Sequence, residues 1–348
     1  MCKNLLATVY YRLNPAAWRI RSKKWLSCRR LVSYIYFKLK RRLRLDLSFY
    51  PPGPSDIPID VFMPALEKDA DMLRLSVKAV HQNVMHPISN IYIVAPPDSQ
   101  VLKGIASDEG CIFVSEEEVV PLDIRSIKYQ VRGYDRSGWI YKMLCNLAAD
   151  TVCKERYILV LDADTIFIRP QIFVYRGRPL FNLSDEYHCP YFEVNARLLE
   201  LRPPLCRAFT THYMLFDADV LRDLRTAIAT KSQLAWYDAI VKAIDTTELS
   251  GFSDYELYGS FYLRCTARPC ILNYWSNISL TIDRYAELDA LVKEYEATHA
   301  SLSLHSYQRQ RLQREVAFSR GEAIAETAGA FGASGRGARM KSLPRSVL

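Results

Sequence analysis

The sequence predicts an α/β protein built on a parallel, doubly wound sheet, and three observations carry that prediction. With 348 residues, 49% of them hydrophobic, the chain buries a sizeable core. From residue 57 onward, short apolar runs alternate with segments of helical periodicity. Polar groups gather where three of those runs end, on the rim where ligands of such sheets sit.

The elements follow in order. "IPIDVFMPAL" is a first strand, and "KDADMLRLSVKAVHQNV" is a helix with Leu73, Val77, Val80 and Val84 on one stripe. "IYIVAP", 91–96, is a second strand and "GCIFVSEEEV" contains a third. "GWIYKMLCNLAADTV" is a helix burying Ile140, Leu144 and Leu147, followed by the strand Tyr157 to Leu161. Beyond residue 170 the pattern is mixed. "HYMLFDADVLRDL" reads as strand, turn and helix, "SQLAWYDAIVKAI" as helix and "SGFSDYELYGSFYL" as irregular aromatic chain. "CILNYWSN" is a short strand, and "LDALVKEYEATHASLSLHSYQRQ" is helix, extended piece and helix. These elements define a single body over 57–317.

Residues 1–45 carry 13 Lys or Arg and no Asp or Glu, so the remainder holds 33 basic against 38 acidic residues. "WLSCRRLVSYIYFKLKRRLRL" interleaves Trp25, Tyr34, Tyr36 and Phe37 with cations. An arm of this kind, residues 1–50, suits an anionic membrane surface, with rings at headgroup depth. Nothing in it resembles a nucleic-acid module, and no nucleic-acid partner is expected. "PPGPSD" ends the arm as a stiff linker. Residues 318–348, rich in Gly, Ala, Ser and Arg, read as a disordered tail. No apolar run reaches the 18 or so residues of a membrane-spanning helix. The nine cysteines form no CxxC pair and read as reduced thiols, several of them buried, in a cytoplasmic setting. That location is expected to be peripheral, on the inner face of a membrane.

The greasy strand at 157–161 ends in Asp162 and Asp164, one residue apart. Charge at the end of a buried strand is costly unless paired or coordinated. Two enzymatic meanings fit. In one, the carboxylates hold Mn²⁺ or Mg²⁺, hard cations that neutralise a diphosphate and favour its departure as a sugar is transferred. In the other, "LDADT" is the nucleophile motif of haloacid-dehalogenase-like phosphatases. That motif usually follows the first strand of its domain, whereas here about 100 residues of βα units precede it. The chain also has no Asp-Asp dipeptide and no G-D-x-x-x-D for a later acidic pair. The spacing favours the diphosphate site. A third reading keeps the fold as a catalytically inactive membrane-associated scaffold.

The ordered blocks "IDVFMPALEKD", "HPISNIYIVAP", "GWIYKML", "YILVLDADTIFI", "THYMLFD", "FSDYELYG" and "SLHSY" resemble a bacterial GT-A-fold glycosyltransferase family often linked to surface polysaccharides. The resemblance spans roughly 57–310. It implies a GT-A-like fold, a Rossmann-like nucleotide half with a mixed acceptor half. It also implies a nucleotide-sugar donor and a glycan or lipid-linked acceptor. Residue by residue, it implies that Asp162 and Asp164 contact the metal and the sugar diphosphate, that His305 is a late metal ligand, and that Lys68 and Asp69 lie where such enzymes hold the nucleoside. Lys142 stands where the family's block is expected to carry Gln; a lysine there reaches a phosphate as a point charge.

His212 in "THYMLFD" is expected near the acceptor or the pyrophosphate. An inverting transferase needs a carboxylate in reach of the acceptor hydroxyl, and "FSDYELYG" offers Asp254 and Glu256, with Asp254 ahead. The second D-A-D, Asp217 and Asp219, reads as a helix start, with Asp219 as N-cap and Asp217 in the turn. At least half of Trp236, Tyr237, Tyr255, Tyr258 and Trp275 are expected in the core.

Overall fold

The structure is a computed structural model that describes residues 31–305 apart from 204 and 206. Its first half keeps a strand-helix rhythm: β1 (Ile59–Pro64), α1 (Ala70–Asn83), β2 (Ile88–Ala95), α2 (Gln100–Asp108), β3 (Ile112–Ser115), α3 (Ser137–Leu147) and β4 (Tyr157–Leu161). Then follow β5 (Thr165–Phe167), β6 (Arg178–Leu183), β7 (Tyr213–Asp217), α4 (Ala218–Ser232), α5 (Asp254–Cys265), β8 (Ile271–Tyr274), β9 (Asn277–Thr281) and β10 (Ser301–His305).

The central sheet has the order β7-β4-β1-β2-β3. Its β1, β2, β3 and β4 pair in parallel, and β7 closes the β4 edge antiparallel. The antiparallel strand comes from the part of the chain beyond residue 170, where the sequence pattern is mixed. The chain between β4 and β7 builds β5, β6 and a helix, Cys189–Leu199, whose Val194 and Leu198 join the core under the sheet. Side-chain alternation divides the core in two. Val61, Met63, Ile93, Leu159, Leu161 and Leu215 face α1 and α2, where the expected stripe of Leu73, Val77 and Val80 is fully buried. Phe62, Tyr92, Val94, Ile158, Val160 and Phe216 face the other way, toward Ile140 and Leu144 of α3 and the aromatic residues of α5. A parallel sheet covered on both faces is the stable outcome for strands this apolar.

The connections create one crevice. From β1 the chain steps outward to β2 and β3, then returns to set β4 on the opposite side of β1. The carboxyl ends of β1 and β4 therefore flank a topological switch point, where ligands bind in open α/β sheets. A small sheet, β9-β10-β5, grows directly from the turn after β4.

Three local expectations need correction. "FSDYELYG" is helical, being the first turns of α5. Ser253 caps it by accepting the Glu256 N–H at 3.3 Å, and nine of its twelve residues are buried, so burial on every side removed the amphipathic stripe that would have marked a helix. At the second D-A-D the cap is Asp217, not Asp219. Asp217 Oδ1 accepts the Asp219 N–H at 3.0 Å, and its other oxygen pairs with Arg156 and Arg268. Of the described cysteines, expected to be buried in several cases, Cys145 is buried whereas Cys189 and Cys265 are exposed.

Tyr255 and Tyr258 lie in the core. Residues 31–42 are helical and pack on the body. Residues 1–30 of the arm, including Trp25, the tail at 318–348, and the helix expected after His305 fall outside the described residues.

Candidate functional site

β4 carries its chain to the crevice and ends at Leu161. Asp162, Ala163 and Asp164 form a tight turn closed by the Thr165 N–H donating to the Asp162 carbonyl at 3.0 Å. Strand pairing on both sides then decides what stands next to the carboxylates. β7 sets Tyr213 against Leu161, so His212 falls beside Asp162, whose N–H donates to the His212 carbonyl at 2.9 Å. β10 sets Ser303 against Thr165, and the Leu304 N–H donates to the Asp164 carbonyl at 3.1 Å. The next residue, His305, comes to rest with Nδ1 2.7 Å from Asp164 Oδ2. Residues 141 positions apart in sequence thus meet because two short strands zip together.

α3 supplies the cation. Its apolar stripe faces the sheet, and Lys142 reaches over the rim with Nζ 2.5 Å from Asp162 Oδ1. One turn later on the same face, Asn146 Nδ2 donates to Asp254 Oδ2 at 2.7 Å. Asp254 is the first residue of α5. Lys142, Asn146, Asp162 and Asp254 are therefore held as one unit by a single helix face.

The electrostatics follow from burial and pairing. Burial alone would lower the Lys142 ammonium, but the Asp162 charge and hydrogen bond outweigh it and hold it up at about 12. Burial likewise opposes ionisation of Asp164, yet the hydrogen bond from His305 and the nearby His212 and Lys142 bring it below the ordinary carboxylate value. Burial pushes Asp254 up to about 6, against the pull of Asn146 and Lys142. His212 is driven down to about 4 by burial, so it is a neutral imidazole at ordinary pH. Its Nδ1 lies 2.7 Å from Ser303 Oγ, and its ring meets those of Trp275 and His305 edge-on at 4.8 Å.

The remaining sequence-derived candidates divide. Asp69, following β1 across the crevice, accepts the Leu66 N–H. Burial raises its pKa, with the Asp164 charge adding to the rise and Lys68 and Lys142 opposing it, so it shares the field of the site. Lys68 is exposed on the same rim. Glu256 is not brought to this cluster. It is fully buried, with one oxygen accepting the Phe209 N–H at 2.7 Å and the other the Ser260 hydroxyl at 2.8 Å. Burial pushes it up to about 8, which leaves it mostly protonated at pH 7. Asn146 and Ser303 are the members that sequence reasoning missed. Each left a trace: one amide within an apolar helix, and the serines of "SLSLH" alternating with two buried leucines.

The donor set suits a divalent cation chemically. Asp162 and Asp164 offer hard oxygens and His305 an imidazole nitrogen, a combination that Mn²⁺ and Mg²⁺ accept. Lys142 and His305 each hold one carboxylate oxygen, so each aspartate keeps a second. Among the described residues, no three His, Cys, Asp or Glu side chains already enclose a cation position.

Fold and site together define a doubly wound α/β protein with a carboxylate, lysine and histidine cluster at its switch point. The chain belongs to a family of unknown function, DUF6492, whose model matches residues 66–323. No curated protein matches the sequence. Among solved structures it is similar to the galactosyltransferase LgtC in complex with donor and acceptor sugar analogues, at 13% identity and a TM-score of 0.39, over 77% of this chain and 98% of that one. It is also similar to glucosyl-3-phosphoglycerate synthase from Mycobacterium tuberculosis in complex with Mn²⁺, UDP and glucosyl-3-phosphoglycerate, at 13% identity and a TM-score of 0.30, over 53% of this chain and 68% of that one. Likeness at this level assigns no residue correspondence.

Proposed function

We propose that the protein is a GT-A-like glycosyltransferase that moves a sugar from a nucleotide-sugar donor to a hydroxyl of a glycan or lipid-linked acceptor. The observation that carries this reading is the convergence at one switch point of Asp162, Asp164, His305 and Lys142, drawn from the turn after β4, the end of β10 and helix α3. Asp162, Asp164 and His305 would hold Mn²⁺ or Mg²⁺, which when bound neutralises charge on a diphosphate leaving group.

The chain's own groups do the rest. Lys142, fixed by Asp162, presents a permanent positive charge to a phosphate oxygen. Lys68 and Asp69 lie on the opposite lip, suited to the nucleoside. In the transfer, an acceptor oxygen forms the new bond to the anomeric carbon as the bond from that carbon to the diphosphate oxygen breaks. The hydroxyl proton goes to a carboxylate. Two features support Asp254 over Glu256 for that role: its charge is felt at Lys142, and a value of about 6 leaves it ionised and still basic near neutrality. His212, neutral and wedged between Trp275 and His305, orients the site without adding charge.

The test is to incubate the protein with a panel of nucleotide sugars and Mn²⁺ and measure nucleoside diphosphate release with and without acceptor hydroxyls. Release from one donor, abolished by Asp164→Asn, supports the reading. Phosphate release from simple phosphoesters with no dependence on a nucleotide sugar would transfer the site to the phosphatase reading. Donor binding without release or transfer would leave the inactive scaffold.

A further inference from the structure

The helix at 31–42 has two faces of different character. Its inner face is fastened to the body. Phe37 is 6% exposed and packs on Tyr274, with the Arg207 guanidinium beside both rings. Lys40 Nζ donates to the Leu272 carbonyl at 2.6 Å and to Asn273 Oδ1 at 2.8 Å. Arg41 donates to the Thr298 carbonyl at 2.6 Å and stacks on Phe49, which Arg169 covers from the other side. The helix is thus held in one orientation.

Its outer face is apolar and open. Leu31, Ile35 and Leu39 recur at four-residue spacing, with Val32 and Tyr36 alongside; their exposures are 58, 54, 53, 66 and 59%. Of the fourteen large hydrophobic side chains exposed among the described residues, eight fall within residues 31–45. Such clustering on a soluble surface marks an interaction site. Lys38, Arg42 and Arg44, all exposed, flank the stripe, in a segment that has no acidic residue from 1 to 45.

We propose that this face docks on an anionic lipid surface, lying in the headgroup layer parallel to the membrane. A stripe of aliphatic and aromatic side chains edged with cations is the complement of an anionic leaflet, and the charge selects lipid over a second copy of the same basic helix, which it would repel. The inner face gives the docking a consequence. The strand gripped by Lys40 is β8, which runs on to Trp275, the residue packed against His212. The lipid-bound helix therefore fixes the orientation of the candidate site toward the membrane. The membrane contact itself does not depend on the proposed transferase activity.

The test uses the full chain and sedimentation with vesicles of phosphatidylcholine alone or with about a third phosphatidylglycerol. Binding to the anionic vesicles alone is expected, weakening with salt and by roughly five-fold for each of Lys38, Arg42 and Arg44 changed to Ser. A Leu31→Asp, Ile35→Asp, Leu39→Asp triple variant should lose binding with an unchanged melting temperature. Equal binding of the triple variant, or no binding to anionic vesicles at low salt, overturns the proposal. A triple variant that melts early or changes the oligomeric state overturns it too, showing that residues 1–30 or a second copy cover the face. Because vesicle binding needs no substrate, its failure leaves the donor site untouched.

Discussion

Asp254 is a carboxylate whose folded value, about 6 against an ordinary 3.8, opposes ionisation. The folded state therefore holds its proton in a pH range where the unfolded chain has released it. Stability from this group is complete below about pH 4 and is lost as pH rises through about 6. Asp254→Asn keeps an acceptor for Asn146 and removes the buried charge. The variant should be more stable than wild type at pH 7.5 by about 1–3 kcal/mol, with the gap closing at pH 4, as followed by thermal melts. The same variant should lose about 10²–10⁴ of transfer rate if Asp254 takes the acceptor proton. Wild-type rate should rise with pH through about 6. Retained transfer would remove the base assignment and leave the donor site standing. Glu256 gives the contrast. Glu256→Gln should be well tolerated because the buried group is already mostly neutral. Glu256→Ala leaves the Phe209 N–H without its acceptor, at a cost of about 3 kcal/mol in urea denaturation. Lys142→Ala should weaken nucleotide binding far more than it unfolds the protein. Lys142 and Asp162 are 34% and 21% exposed, and a pair so hydrated contributes only about 1 kcal/mol to stability.

At the scale of elements, the site depends on helix α5 lying hard against the loop before β7. Gly259 makes this approach possible, because a Cβ there would run into the Phe209 ring. Gly259→Ala should destabilise by about 1–3 kcal/mol through overpacking, seen as a lower urea midpoint with an unchanged slope. This helix was not legible in the sequence. Its residues are buried nearly all round, so the chain shows aromatic density without a 3.6-residue period. The parallel strands were legible because nothing but a two-sided core suits "YILVL" or "IYIVA". The aspartates after β4 were legible for the opposite reason, as two charges at the end of a greasy strand that, unlike Asp217, open no helix. The small strands β5 and β9 escaped notice because each is defined by its partner, whereas β10 was legible only as an extended piece. Yet β10 is what delivers His305, so the histidine was accessible only through a block resemblance, not through spacing.

For the whole molecule, sheet order does more than any single residue: placing β4 beside β1 opens the crevice, and the turns on either side fill it with charge. Asn146, marked in the sequence only as an amide within an apolar helix, acquires its role because α3 crosses from Lys142 at one carboxylate to Asp254 at another. Among the described residues no helix is long and apolar enough to cross a membrane. The central claim is that this crevice binds a nucleoside diphosphate, and the most direct measurement is a thermal-shift titration with UDP, GDP, CDP and CMP, with and without Mn²⁺. A ligand that binds only the native state adds about 2.7 kcal/mol at 100 times its dissociation constant. One nucleoside diphosphate should raise the melting temperature in the presence of Mn²⁺, lose that effect on chelation and lose it in Asp164→Ala. No shift with any of the four, in protein shown to be folded, would contradict the assignment of the site.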